Sequence, residues 1–76
     1  MLTIKRVQYE NDIGIAYFTV EGRTMENELT FDIKNDKILK IVSNDDEFGN
    51  YVSFYTPFVL RHLRERNPNQ RTYMWY

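Results

Sequence analysis

The sequence predicts an α+β domain: a four-stranded antiparallel β-meander packed with one C-terminal helix, and a short fifth strand at the C-terminus. Three observations carry this. Residues 2 to 43 are short β-branched and aromatic runs separated by turn residues. Residues 56 to 66 combine a helix start, an amphipathic repeat and a stop. Residues 70 to 76 alternate again, with Arg71, Tyr73 and Trp75 set against Thr72, Met74 and Tyr76.

Residues 2 to 10 and 13 to 21 read as a hairpin around Glu10-Asn11-Asp12. A three-residue loop sets Tyr9 opposite Ile13, Val7 opposite Ile15, Ile4 opposite Phe18 and Leu2 opposite Val20. A two-residue loop would set Val7 against Ala16 and Ile4 against Thr19, which splits the apolar pairs, so the three-residue register is expected. It places apolar groups on opposite faces at opposite ends of the hairpin and so demands cover on both faces of the sheet.

Gly22, Arg23 and Thr24 mark the next turn. Asn27 to Lys34 then alternates Leu29, Phe31 and Ile33 with Thr30 and Asp32, the pattern of a half-buried strand. After the turn at Asn35-Asp36, Lys37 to Ser43 forms the fourth strand, with Ile33 paired to Leu39 and Phe31 to Ile41. Asn44 to Asn50 reads as a polar, acidic loop. Tyr51 to Tyr55 leads into the helix, whose first turn begins between Ser53 and Thr56.

In the helix Thr56 is expected to cap the first amides, Pro57 to take the first helical position, and Asn67-Pro68 to end the run. Val59, Leu60 and Leu63 share one arc; Arg61, Arg64 and Glu65 take the other. Gln70 to Tyr76 then adds a strand to a sheet edge, or pairs with the same segment of a second copy.

At 76 residues the chain holds one domain, 1–76, with a core near the lower size limit and no cysteine to brace it. Its density must come from twelve aromatic residues, eight of them between Phe48 and Tyr76. No apolar stretch approaches membrane-spanning length, so the expected setting is cytoplasmic, with no membrane partner. Residues 1 to 56 carry six Lys/Arg and ten Asp/Glu, a net of −4, while residues 57 to 76 carry four Arg and one Glu, a net of +3. Self-complementation within the chain is the expected use of that asymmetry.

Candidate chemistry is thin. His62, the only histidine, falls at the border of the apolar arc with Arg61 and Leu63 beside it, and reads as a neutral structural imidazole. Asp45, Asp46 and Glu47 are consecutive and followed by Phe48, unlike the alternating ligands of a calcium loop, and read as a solvated acidic run. Gly14, Gly22 and Gly49 are isolated, so no phosphate-cradling loop exists. No catalytic, cofactor-binding or metal-ligating residues are therefore expected, and the chain reads as not an enzyme.

Surfaces remain. Arg61, Arg64, Arg71, Tyr73, Trp75 and Tyr76 are of the types that dominate binding hot spots, and form the expected partner-binding set. The first expectation is a small protein-binding module, an inhibitor or adaptor that occupies a partner's surface. The alternative is a single-stranded nucleic-acid-binding domain that stacks bases on the aromatic tail and holds phosphates with the Arg-rich helix.

The crowding of Tyr73, Met74, Trp75 and Tyr76 at the chain end also predicts a homodimer formed through that segment, with Trp75 buried. Sedimentation at micromolar concentration is expected to give a dimer, and removal of residues 71 to 76 a less stable monomer. A monomeric intact protein with freely quenched Trp75 fluorescence would assign the aromatic tail to another partner.

Overall fold

In the computed structural model, which describes residues 1–75, five strands form one antiparallel sheet and two consecutive helices cover one of its faces. The strands are β1 (Leu2–Glu10), β2 (Ile13–Val20), β3 (Asn27–Asp32), β4 (Lys37–Val42) and β5 (Arg71–Tyr73). The helices are α1 (Asp46–Asn50) and α2 (Val52–Arg64). Across the sheet the order is β4-β3-β2-β1-β5. The meander and the C-terminal edge strand expected from sequence are both present. The fifth strand is shorter than Gln70 to Tyr76, and it pairs within its own chain, with Leu2 opposite Tyr73, Thr3 opposite Thr72 and Ile4 opposite Arg71.

The first hairpin uses both registers considered from sequence. Near the turn the loop has two residues, Asn11 and Asp12: Glu10 faces Ile13, Tyr9 faces Gly14 and Val7 faces Ala16. This corrects the three-residue loop, and the reason is local, because Asn11 adopts the left-handed conformation (φ 54°) that asparagine tolerates in tight turns. Further out, Ile4 faces Phe18 and Leu2 faces Val20, as expected. A bulge between Ile4 and Arg6 reconciles the two, with Lys5 as the extra residue.

That extra residue also changes which side chains share a face. Leu2, Ile4, Val7 and Tyr9 all oppose even-numbered residues of β2, so all four point to the helical side. The expectation of apolar groups on opposite faces is therefore corrected. The sheet needs one cover, and Lys5, Arg6, Gln8 and Glu10 are exposed. The other face is open to solvent, with Ile13, Ile15 and Tyr17 half-buried, Arg6 lying 3.9 Å over the Tyr17 ring, and the Thr3 and Thr72 hydroxyls 3.1 Å apart.

The β2–β3 connection begins with Glu21 and Gly22 both at positive φ (52° and 70°), closed by Arg23 N donating to Val20 O at 2.9 Å. The β3–β4 pairing also departs from expectation. Phe31 faces Ile38 and Leu29 faces Ile41, with a register shift between Thr30 and Phe31. The loop is Ile33 to Asp36, because the Asp32 carboxylate accepts from both the backbone N–H and the side-chain amide of Asn35, and Asp36 turns at φ 53°. Ile33, placed in a strand by its periodicity, instead donates its N–H to Asp12 O at 2.8 Å.

Asn44 to Asn50 is not a plain loop. Asp45 is buried, caps α1 by accepting from Glu47 N at 2.9 Å, and receives Arg23 Nε at 2.8 and 2.9 Å on its two oxygens. Fully buried Asn27 accepts from the backbone N–H groups of Asn44 and Asp45 at 2.8 and 3.1 Å, which fastens the end of β4 to the start of β3. Phe48, which made the segment look like an interrupted acidic run, lies in the core edge-to-face with Phe18 at 5.0 Å.

Tyr51 ends α1 and opens α2, so the long helix starts a turn before Thr56. Thr56 is buried inside the helix rather than capping it, and Pro57 is interior. The proline removes the donor that Ser53 O would have used, a cost limited because Ser53 is exposed to water. Tyr55, Val59, His62 and Leu63 turn inward against Leu2, Ile4, Ala16, Phe18, Val20, Leu29, Phe31 and Tyr73. Leu60 is only partly buried.

The helix ends as a left-handed cap. Arg66 (φ 50°) donates its N–H to Leu63 O and Asn67 to His62 O, while the Arg66 guanidinium bonds Asn11 O and Asp12 across the hairpin tip. Tyr9 completes this junction by donating to Asn67 O at 2.7 Å. Its ring lies where a side chain on Gly14 would be, 3.1 Å from the position of an added Cβ.

These parities make a prediction. Deleting Lys5 leaves an unbroken alternating strand and every observed pairing, so stability is expected to change by no more than about 1 kcal/mol. Deleting Gln8 turns Tyr9 off the core face and should cost as much as Leu63→Ala, about 2 to 5 kcal/mol. Urea midpoints of the three variants test this, with Arg64→Ala as a near-neutral surface control.

Candidate functional site

The residues expected to bind a partner do not form one patch. Arg64 Nε pairs with Asp36 at 2.9 Å and its guanidinium lies 5.4 Å over Phe31, on the β3–β4 side. Arg61 and Arg71 have no ion-pair partner among the described residues; Arg71 lies 4.7 Å over the Tyr73 ring, and both arginines favour the Tyr73 phenolate electrostatically. Tyr73 is buried. Trp75 is half-buried on the outer flank of α2. Tyr76 lies outside the described residues.

Arg64–Asp36 and Arg66–Asp12 cross the boundary between the acidic and basic parts of the chain, in line with self-complementation. The acid run of Asp45, Asp46 and Glu47 supplies neither partner, and Asp45 is turned inward to Arg23 rather than solvated.

Tyr73 is one half of the polar pair beneath the helix. Its hydroxyl lies 2.7 Å from Nδ1 of His62, a side chain with no exposed surface. Nε2 of the ring is buried without a hydrogen-bond partner; with Nδ1 accepting from the phenol, Nε2 carries the one proton of the neutral ring, and a second proton would have to enter at Nδ1 in place of the phenol's donated hydrogen. Burial holds the His62 pKa below its ordinary value, the Arg71 cation adds to this, and the Asn69 and Asn67 backbone and Glu65 oppose it. Tyr73 is pushed up, again by burial first. A neutral imidazole accepting from a neutral phenol is a structural pair, with neither group open to a substrate.

Beyond this pair, Trp75 organises an aromatic cluster on the surface. Its ring stacks on Phe58 at 4.8 Å and 24°, meets Phe54 edge-on at 5.1 Å, and lies 5.7 Å from Tyr55. Trp75 and Phe54 line a groove of about 260 Å³ together with Tyr51, Tyr55, Glu21 and Glu47. Tyr51 and Phe54 are 54% and 48% exposed, far more than the packing of a small core requires. Glu21 accepts from the Tyr55 hydroxyl at 3.0 Å and from the Met1 ammonium at 2.7 Å. Burial first, then Glu21 and Glu47, push the Tyr55 phenol up to about 12.

Comparison with protein-family models, with curated proteins and with solved structures gives no match. Any function must therefore be argued from the surface itself.

Tyr51, Phe54, Glu21 and Glu47 were missed by sequence reasoning. One signal was available: Tyr51, Phe54 and Phe58 recur at helical spacing on a flank beside the apolar arc, visible once α2 is begun at Val52. A second depression, about 230 Å³ and lined by Gln8, Glu10, Asn11, Ile13 and Ile15, lies on the open sheet face without aromatic side chains. Among the described residues no group of three acidic or histidine side chains could hold a metal, and no helix is long and apolar enough to cross a membrane.

The buried imidazole predicts a pH dependence. With its folded-state pKa below the unfolded value, the unfolded chain takes up the proton first, so stability is full above about pH 6.5 and falls as the pH drops from there toward the folded-state pKa. Denaturation midpoints between about pH 5 and 7 should decline toward acid in the native protein. They should vary much less in His62→Gln, even if that variant is less stable throughout.

Proposed function

We propose that the protein is a small non-enzymatic binding module, an inhibitor or adaptor, that acts by occupying the surface of a protein partner. The observation that carries this reading is the aromatic face of exposed Tyr51 and Phe54 with half-buried Trp75, set beside a helix whose opposite side is fixed in the core. Large aromatic side chains held rigidly at a surface lose little entropy on binding and provide desolvated anchors, the usual source of affinity in protein contacts. Arg61 and Arg71, without ion-pair partners among the described residues, fit the polar rim of such a contact.

The alternative, single-stranded nucleic acid, is less well supported. Arg64 and Arg66 are committed to Asp36 and Asp12, and a phosphate chain reaching for Trp75 meets the carboxylates of Glu21 and Glu47. Self-association through the C-terminal segment would use the same aromatic face and is a special case of the proposal, with a second copy as the partner.

Affinity capture from a lysate of the source cells should retain a discrete protein. Retention is expected to survive nuclease and moderate salt, to be lost in Phe54→Ala combined with Trp75→Ala, and to persist in Arg64→Gln. Nuclease-sensitive capture, accompanied by salt-dependent binding of labelled oligonucleotides, would overturn the proposal in favour of the alternative. If the retained protein is the chain itself, sedimentation at micromolar concentration gives the stoichiometry.

A further inference from the structure

We propose that the groove between the start of α2 and the end of β5 binds one cationic side chain of the protein partner, an arginine in preference to a lysine. This rests on the protein-binding reading and specifies its chemistry. The lining consists of four aromatic rings and two carboxylates: Tyr51, Phe54, Tyr55, Trp75, Glu21 and Glu47. Aromatic faces attract cations through their quadrupole, and a carboxylate at the rim supplies the charge that a guanidinium can bind through two parallel N–H donors.

Size limits the occupant. At about 260 Å³ the groove falls below the range of about 300 to 1,000 Å³ that small-molecule sites occupy, and it is open on one side, which suits a side chain entering from a partner's surface. Charge selects its sign. Glu21 is already engaged by the Tyr55 hydroxyl and the Met1 ammonium, whereas Glu47 makes no ion pair among the described residues. Glu47 acts electrostatically on Tyr55 in the groove, whereas Arg61 and Arg71, without ion-pair partners among the described residues, act on Tyr73, and neither lines the groove.

Shape favours arginine. One face of Trp75 is covered by Phe58, and Phe54 stands edge-on to it, so the remaining ring surface forms a wall beside a carboxylate rather than a closed cage. A planar guanidinium can stack on such a wall while pointing its donors at Glu47; a compact, strongly hydrated ammonium cannot do both.

Trp75 is the single tryptophan, so its fluorescence and indole N–H resonance report on the groove directly. The probes are acetylated, amidated Gly-Arg-Gly, the matching Gly-Lys-Gly, and Gly-citrulline-Gly, which keeps the shape of arginine without its charge. The arginine peptide is expected to give a saturable shift of the Trp75 signals in the millimolar range. Binding should be about fivefold weaker or more for citrulline, and likewise for the arginine peptide with Glu47→Gln, as expected for loss of one cation–aromatic and carboxylate contact. Arg64→Gln, on the other flank, should not alter it. Equal responses to arginine and citrulline, or no saturable shift, would overturn the cation site. Either result leaves the aromatic-anchored contact standing or falling on its own measurement, the capture lost in Phe54→Ala with Trp75→Ala.

Discussion

A single extra residue in the first strand governs how this domain is built. Without the bulge at Lys5, the alternation that buries Leu2 and Ile4 would turn Val7 and Tyr9 to the opposite face, and a chain of this size could not cover both. With it, four apolar side chains of one strand join Ala16, Phe18, Val20, Leu29 and Phe31 beneath α2, and one helical layer suffices. The residues displaced outward, Lys5 and Arg6, are ones that water accepts. Arg6 covers Tyr17 on the open face.

Once the sheet has a single apolar face, the helix is fixed at both ends by polar contacts. At its C-terminal end, the Arg66 cap, the Arg66–Asp12 pair and the Tyr9–Asn67 hydrogen bond tie helix to hairpin. At the other end, Asn27 and Asp45 secure the link from β4, and Phe48 anchors α1 on Phe18. The helix lies over β1, β2 and β3, so Ile38 and Ile41 of edge strand β4 stay 37% and 36% exposed although they face the helical side. Lys37, Lys40 and the register shift beside them discourage that edge from pairing with another sheet.

The same placement creates the aromatic groove. With Tyr55, Val59 and Leu63 committed to the core, Tyr51 and Phe54 necessarily project from the flank, where β5 brings Trp75 against them. Charge is divided along the helix: carboxylates gather near its start, and of the arginines toward its end and in β5, Arg64 and Arg66 are paired and Arg71 lies over Tyr73. The one histidine is sealed beneath the helix with Tyr73.

By itself the sequence determined whatever depends on neighbours in the chain. The α+β class, the four strand segments, the stop before Pro68 and the inward turn of Val59 and Leu63 all follow from local alternation, helical periodicity and the stereochemistry of proline. Tertiary structure decided the rest. Nothing in residues 2 to 10 distinguishes a bulged strand from a strand with apolar groups on two faces; only the competition for one core selects the bulge. The acidic segment became helix α1 because Asp45 found Arg23 and Asn27, and α2 began at Val52 because α1 delivered the chain there already turned. The groove joins Glu21, the stretch holding Glu47 and Phe54, and Trp75, three parts of the chain that no local pattern relates, and it exists only because sheet pairing carries the last strand back to the first.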